Sequence, residues 1–520
     1  MLSKAKKSKT GIEGDLPRIL ANEFCHELAE PLSLIYNNII QTGIWPKQWK
    51  IEFGLPLKKK TNPSNEDDIR IISLTPLYSK VFEKFVMGWL LEHLEEKLDL
   101  FQYGGQKGHS VSHYLIDFVN FVAYNQDVRD IHAVLAVTVD FSKAFNRQNH
   151  IILIELLSEL GVPGWLLKIV IGFLEDREME VFYKGVKSER KKLPGGGPQG
   201  TILGMFLFLI LINGAGFKNL ERNTGKIICN PALGRRNPID RLHLKWVDDM
   251  TAAEAINLKG SLMTELNPVH PLQFHERTGH KLPSDQSKLQ GFLNDLLVYT
   301  KEHEMRINET KTNVILFNRA KMYDFLPKLT VGQSTVLNVV KEAKILGVKI
   351  QDDLKWNSNT SFICGKAYAR LWVLRRLKPL GVTRSVLLEV YEKQVRCVVE
   401  YASPVWSGGL TKAECYQIER VQKTAFALIL GNQYNSYEHA LHLLQRDSLE
   451  TRRKVINLKF ARKCADSPKF SHWFSSQTKS SHNMMTRSQN HKSFVPVQSR
   501  TKVFANSPIS YLTNLLIEDG

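Results

Sequence analysis

The sequence has little cysteine, no long apolar run and a shortage of acid. Its six cysteines among 520 residues, Cys25, Cys229, Cys364, Cys397, Cys415 and Cys464, are widely scattered. No close pair exists to make a zinc knuckle, a redox motif or a disulfide framework, so they read as reduced core thiols of an intracellular protein. The longest apolar run, Ile202 to Ile212, falls short of the about 20 residues that cross a bilayer, and a buried helix is expected there instead. Lys4, Lys6, Lys7 and Lys9 have no apolar segment after them, which argues against a secretory signal. A disordered start is expected, with a weak nuclear-import patch as the alternative. Acidic residues number 52 against 70 lysines and arginines, a formal charge of +18. That balance favours a polyanionic partner, with nucleic acid the first candidate and an anionic membrane surface the second. The chain is long enough for a large core and more than one structural unit.

What is present is organised around Lys245-Trp246-Val247-Asp248-Asp249-Met250, two adjacent carboxylates in an otherwise apolar, strand-like run. Burying unpaired acids is costly unless a cation compensates. An isolated Asp-Asp pair more often only favours an exposed turn, but Leu242, Leu244 and Trp246 before it and Thr251, Ala252 and Ala253 after it suit a packed hairpin. Such a pair needs a third carboxylate from elsewhere. Ile131 to Phe141, rich in β-branched and small apolar residues, ends in Asp140 and supplies it. Chain-distant acids of this kind can clamp two Mg²⁺ ions about 4 Å apart, the arrangement of in-line nucleotidyl transfer. The competing reading of Asp140 is a surface residue capping the next helix.

Around these acids the chain reads as a mixed α+β protein. Helical spacing runs from 17 to 42, a strand from Ile51 to Leu57, a basic turn through Lys58-Lys59-Lys60, and Arg70-Ile71-Ile72-Ser73-Leu74-Thr75 leads into a helix from Pro76 to Leu98. A lysine cluster and an arginine on facing elements suit a triphosphate, although solvated loop charge is the simpler account. Pro194-Gly195-Gly196-Gly197-Pro198-Gln199-Gly200-Thr201 is expected to be a flexible, backbone-exposing loop in which Gln199 offers an amide to a base edge. A plain linker is the alternative. The stretch 254 to 284 reads as an insertion, followed by a helix from about Ser284 to Glu304, a strand Asn313 to Phe317 and a hairpin over Lys344 to Ile350. Helices are expected over Tyr368 to Leu380, Arg384 to Tyr401 and Lys412 to Leu430. Arg370, Arg375, Arg376, Lys378, Arg384, Lys393 and Arg396 make them basic enough to track a duplex backbone, or simply to form a solvated face. Lys469 to Lys502 is polar and expected to be disordered, with a short apolar coda at Ile509 to Ile517.

The order of these motifs resembles the reverse transcriptase of non-LTR (LINE-type, jockey-like) retrotransposons. The resemblance implies a right-hand polymerase fold. Residues 1–48 would be a helical extension, 49–356 fingers and an antiparallel palm sheet, 357–445 a helical thumb, extending loosely through Tyr401 to Trp406 and Glu419 to Lys423, and 446–520 a partly disordered tail. It implies Asp140 as first catalytic acid with the Phe141 backbone as a metal contact, Asp248 as shared metal ligand and Asp249 as support. Arg70 would bind the triphosphate with Lys58 as partner, and Phe145 would block a ribose 2′-hydroxyl. Pro198, Gln199 and Gly200 would position template and nucleotide, Lys311 would protonate leaving pyrophosphate, and Leu346-Gly347 would form the primer grip. The implied cofactor is Mg²⁺, two ions. The implied partners are an RNA template, a DNA primer and deoxynucleoside triphosphates, with no membrane, and the implied place of action is the nucleus at the point of insertion.

Two positions depart from the family pattern. Trp246 stands where a smaller residue is usual, and Asn146 stands where an aspartate usually follows the aromatic gate. Overpacking by an indole can displace a strand. With the lack of an N-terminal segment large enough for an endonuclease, these departures keep open a catalytically inactive remnant that only binds nucleic acid. An RNA-synthesising palm polymerase is disfavoured by Phe145, and no further feature supports a group II intron maturase.

Overall fold

The structure, a computed structural model, describes residues 2, 17–129, 131, 133–193, 195–198, 200–216, 239–256, 287–318, 328–332, 335–477 and 493–519. The 17–42 region forms two helices, α1 (Arg18–Glu23) and α2 (Ala29–Thr42), the second closed by Gly43 in the left-handed region. Strands β1 (Ile51–Lys58) and β2 (Ile69–Leu74) pair antiparallel and lead into α3 (Leu77–Leu94). Helix α4 (Val111–Asp127) precedes β3 (Ala133–Asp140), and α5 (His150–Glu159) and α6 (Gly164–Leu174) follow it. β4 (Glu178–Tyr183) adds parallel to β1 and carries the short β5 (Val186–Lys187) and β6 (Lys191–Lys192). The apolar run becomes α7 (Ile202–Leu211), and β7 (Arg241–Trp246) and β8 (Asp249–Ile256) form the expected hairpin. A helix, Lys288–Glu302, and β9 (Asn313–Asn318) complete the central part.

The central sheet has the order Asn338–Val340, β9, β3, β8, β7, antiparallel except at its β9 edge. The two-residue period of β3 divides the core. Ala133, Leu135, Val137 and Val139 face one cluster with α7, α3 and the 288–302 helix, while Val134 and Ala136 face another with α4 and the C-terminal helices. Being covered on both faces is why β3 is almost wholly apolar until Asp140.

Fifteen of the seventeen residues of α4 are buried. Its polar side chains are used inside the protein. Asp117 accepts a hydrogen bond from Trp473 Nε1 at 2.8 Å, and Asp127 accepts from the backbone of Arg500 and Thr501 at 3.0 and 2.7 Å. The C-terminal segment therefore covers what an isolated α4 would expose. Ile509, Leu512, Leu515 and Leu516 of the helix Pro508–Asp519 join the same core, and within the stretch expected to be disordered Ser476–Gln477 pairs with Ser493–Phe494. Among the described cysteines all are free, but only Cys364 and Cys464 are buried, and Cys397 is exposed. Among the described residues no helix is long and apolar enough to cross a membrane.

Candidate active site

β3 delivers Asp140 opposite Asp249, the first residue of β8, so two acids 109 positions apart in the chain become cross-strand neighbours. The turn between β7 and β8 is tight. Val247 is forced into the left-handed region at φ 56°, a conformation that costs a β-branched residue roughly 1–3 kcal/mol and persists only where its surroundings impose it. Those surroundings include Gly104, whose absent side chain leaves room for the Val247 backbone. Trp246 does not displace the strand: it is half-buried, and the β7–β8 pairing continues through Trp246 opposite Asp249.

The next chain crossing fixes the other flank. Asn308 donates its backbone N–H to Asp140 O at 2.7 Å, Ser142 donates to Arg306 O at 2.8 Å, and Phe141 bridges Ile307. The turn that follows presents Lys311, whose Nζ lies 3.4 Å from Asp140 Oδ2. Desolvation, then the Asp140 charge, raises the Asp248 carboxyl, while Arg70 and Lys311 act to lower it. Desolvation and the charges of Asp248 and Asp140 push Asp249 up to about 6 against the same two cations. Three acids and two cations thus share one electrostatic neighbourhood. Among the described residues no three His, Cys, Asp or Glu side chains converge as a metal-holding group.

The other expected site residues are placed unevenly. Phe145 lies in a short 3₁₀ turn, Ala144–Arg147, and stacks on Phe208 of α7 with ring centroids 4.7 Å apart. Asn146 is an exposed member of that turn. The glycine loop is pinned rather than free: Gly197 N donates to Phe145 O at 2.7 Å and Gly196 N to Gln148 O at 3.0 Å. Gly200, at φ 120°, passes so close to β2 that a Cβ would meet Ser73 O at 2.4 Å. Gln199 lies outside the described residues. Arg70 and Leu57 are register partners, so the alternation of the strand directs the exposed Lys58, opposite Ile69, to the other face. Lys58 and Arg70 are therefore not brought together. Leu346 and Gly347 form the turn between Glu342–Ile345 and Val348–Gln351 with φ of 45° and 88°, and Tyr401 Oη donates to Leu346 O at 2.9 Å.

The basic helices are less available than their composition suggests. Arg396 pairs with Glu392 at 2.8 Å, Lys393 pairs with Glu389, Arg370 Nη1 donates to Gln394 O at 2.8 Å, and Lys378 Nζ donates to Leu428 O at 2.6 Å. The helices themselves are Asn357–Arg370 and Trp372–Leu377, then Arg384–Val390 with a π-helical continuation, and Lys412–Leu430.

Sequence reasoning did not single out Lys245, Asp99, Glu83 or Gly104. Lys245 is fully buried, donates to Ile212 O, Asn213 O and Ala215 O at 3.1, 2.9 and 2.7 Å, and lies 2.5 Å from Asp99 Oδ2. A lysine inside an apolar strand was the signal available.

Residues 57–259 match the family model described as reverse transcriptase (RNA-dependent DNA polymerase). A probable RNA-directed DNA polymerase from transposon BS of Drosophila melanogaster is 23% identical over 418 residues, 79% of this chain and 42% of that protein. The RNA-directed DNA polymerase from mobile element jockey of the same organism is 31% identical over 182 residues, 34% of this chain and 20% of that one. The chain thus spans less than half the length of these relatives. Among solved structures, apo telomerase from Candida tropicalis covers 85% of this chain and 72% of its own at 13% identity and a TM-score of 0.40.

Proposed function

We propose, from the premise that residues 57–259 belong to the reverse transcriptase family, that this chain is the polymerase part of a non-LTR retrotransposon, an RNA-directed DNA polymerase. It would extend a DNA primer 3′-hydroxyl on an RNA template with deoxynucleoside triphosphates, acting at the insertion site in the nucleus. In that reading the β3-centred sheet is the palm, the β1–β2–β4 sheet with α3 belongs to the fingers, and the helices after Trp356 form the thumb. The observation that carries it is the meeting of Asp140, Asp248 and Asp249 with Arg70 and Lys311 at one end of β3 and β8.

The acids fit a hard divalent cation by their own electrostatics. Asp140 raises the proton affinity of Asp248 and Asp249, and Asp248 that of Asp249, a repulsion that a cation would relieve, and Mg²⁺ characteristically takes one or two protein carboxylates with the rest of its shell from water and phosphate. Asp140 and Asp248 would hold two Mg²⁺ ions, with the Phe141 carbonyl as a further ligand and Asp249 in support. Bound there, Mg²⁺ lowers the pKa of an attacking hydroxyl and neutralises a leaving pyrophosphate.

The chain's own groups do the rest. Arg70 would offer a planar fork to triphosphate oxygens, and Lys311, 3.4 Å from Asp140 Oδ2, would give a proton to the departing pyrophosphate. Phe145, stacked on Phe208, would block a ribose 2′-hydroxyl. Gly200, packed against the Ser73 backbone of β2, would fix the loop along which template and nucleotide lie. Single-nucleotide incorporation on primed RNA tests the reading. Asp140→Ala should abolish it, and undiminished incorporation by that variant would remove the assignment.

A further inference from the structure

Three separate parts of the proposed site are mounted on one helix. The glycine loop runs into the N-terminus of α7, Phe145 stacks on Phe208 at its middle, and Lys245, three residues before Asp248, holds its C-terminal end. The helix, Ile-Leu-Gly-Met-Phe-Leu-Phe-Leu-Ile-Leu, has eight of its ten residues buried, so water cannot satisfy the free backbone groups at its ends.

Buried side chains take up the N-terminal groups and the turn just beyond the C-terminus, while Tyr299 Oη donates to Leu211 O at 2.7 Å. At the N-terminus Glu83 of α3, with no exposed surface, accepts hydrogen bonds from Ile202 N at 2.8 Å and Leu203 N at 3.2 Å, and Ser79 Oγ donates to its other oxygen at 3.2 Å. Just past the C-terminus the Lys245 ammonium, equally buried, donates to the carbonyls of Ile212, Asn213 and Ala215 and pairs with Asp99. A carboxylate at the positive end and an ammonium at the negative end match the helix dipole at both termini. The backbone of Lys245 is held as well: its N–H donates to Phe101 O at 2.9 Å and its carbonyl accepts from Tyr103 N at 2.8 Å. The strained turn at Val247 therefore starts from a residue fixed by side chain and main chain together.

We propose that Glu83 and Lys245 are positioning residues for nucleotide incorporation: by clamping the two ends of α7 they set the distance of the Gly200 loop and the Phe145 ring from the Asp248–Asp249 turn. Neither touches substrate, and the inference rests on the polymerase reading above. Burying two ions to fix one helix is an expensive way to gain stability alone. It is an effective way to hold a geometry.

The full-length chain carries the test. Lys245→Met keeps the bulk of the side chain without its donors. Glu83→Gln keeps an amide oxygen to accept the two backbone N–H groups, whereas Glu83→Ala does not. Lys245→Met and Glu83→Ala should lower kcat about tenfold or more, with primer–template affinity within about twofold of the parent. Both should also weaken discrimination against ribonucleotides through the Phe145–Phe208 contact, and Glu83→Gln should recover most of the loss. Folded variants with parental kcat and discrimination would overturn the proposal. If Lys245→Met does not fold, the comparison of Glu83→Ala with Glu83→Gln decides the proposal from the other end of the helix.

A parent chain without incorporation would count against the polymerase reading alone. Amide exchange then decides the positioning proposal independently. Lys245→Met should speed exchange at 200–204 as well as at 246–250, and Glu83→Ala at 246–250 as well as at 200–204; acceleration confined to the replaced residue's own end of α7 would overturn it.

Discussion

Gly104→Ala is a one-carbon change that should impair the site without touching an acid. A Cβ at Gly104 would lie 2.6 Å from Val247 N, 2.8 Å from Val247 Cγ2 and 3.0 Å from the Trp246 carbonyl carbon. Two of these atoms are backbone of the turn that carries Asp248, and no rotamer change moves them aside. Restoring an ordinary contact of 3.4 Å needs a retreat of 0.8 Å from the closest atom. Gly104 is not in the left-handed region, so alanine meets no conformational barrier of its own. The effect isolates the steric push. Overpacking of this size costs about 1–3 kcal/mol of stability, and a misplacement approaching 1 Å lowers a positioned reaction by about 10²-fold. Single-turnover incorporation should therefore fall about 10²-fold while primer–template affinity stays within about twofold. A folded Gly104→Ala protein with unchanged turnover would refute the claim that the 101–104 segment sets the turn.

Other perturbations have definite signs. Gly88 and Gly365 lie inside helices with nothing within 4 Å of an added Cβ. Alanine at either should raise stability by about 0.5–1 kcal/mol in denaturant melts, and a loss would mean that an unseen contact forbids the methyl. Asp117, buried between Tyr103 and Trp473, is pushed from 3.8 up to about 7 chiefly by desolvation. Between those values the unfolded chain has released a proton that the native chain keeps. The contribution of Asp117 is thus fully present below about pH 4, falls as pH rises to about 7, and is flat above, at a limit of roughly 4 kcal/mol. Asp117→Asn should remove that slope, and identical pH profiles for the two proteins would show that Asp117 is ionised in the fold. Because Asp249 is held near pH 6, protons should compete with the cation there. The Mg²⁺ concentration for half-maximal incorporation should rise as pH falls from 7.5 toward about 6, and a pH-independent midpoint would exclude Asp249 from the cation's surroundings.

Much of this arrangement is legible in the sequence, and the failures have physical causes. The β-branched run ending in Asp140 and the packed flanks of Asp248–Asp249 declare their strands, because a buried strand leaves a composition that few other elements share. Their meeting as cross-strand neighbours depends on sheet order, which composition does not specify. Lys58 and Arg70 look like partners because they are close in the chain, yet register puts them on opposite faces. The glycine loop reads as flexible because glycine permits mobility, whereas here it permits close approach to Gln148 and β2. The polar residues of α4 carry no such signal, because part of their burial comes from the C-terminal segment, hundreds of residues later. Lys245 is the clearest case. Its meaning lies in three carbonyls at the end of α7, thirty or so positions away.

The proposed function stands or falls with Asp140, Asp248 and Asp249 as the working acids of a reverse transcriptase. The most direct measurement is primer extension by the purified chain on an RNA template with Mg²⁺ and deoxynucleotides, alongside Asp248→Ala. The parent should synthesise DNA and the variant none. Synthesis that survives in Asp248→Ala, or a folded, RNA-binding parent that makes no DNA, would contradict it, and the second result would leave a nucleic-acid-binding remnant.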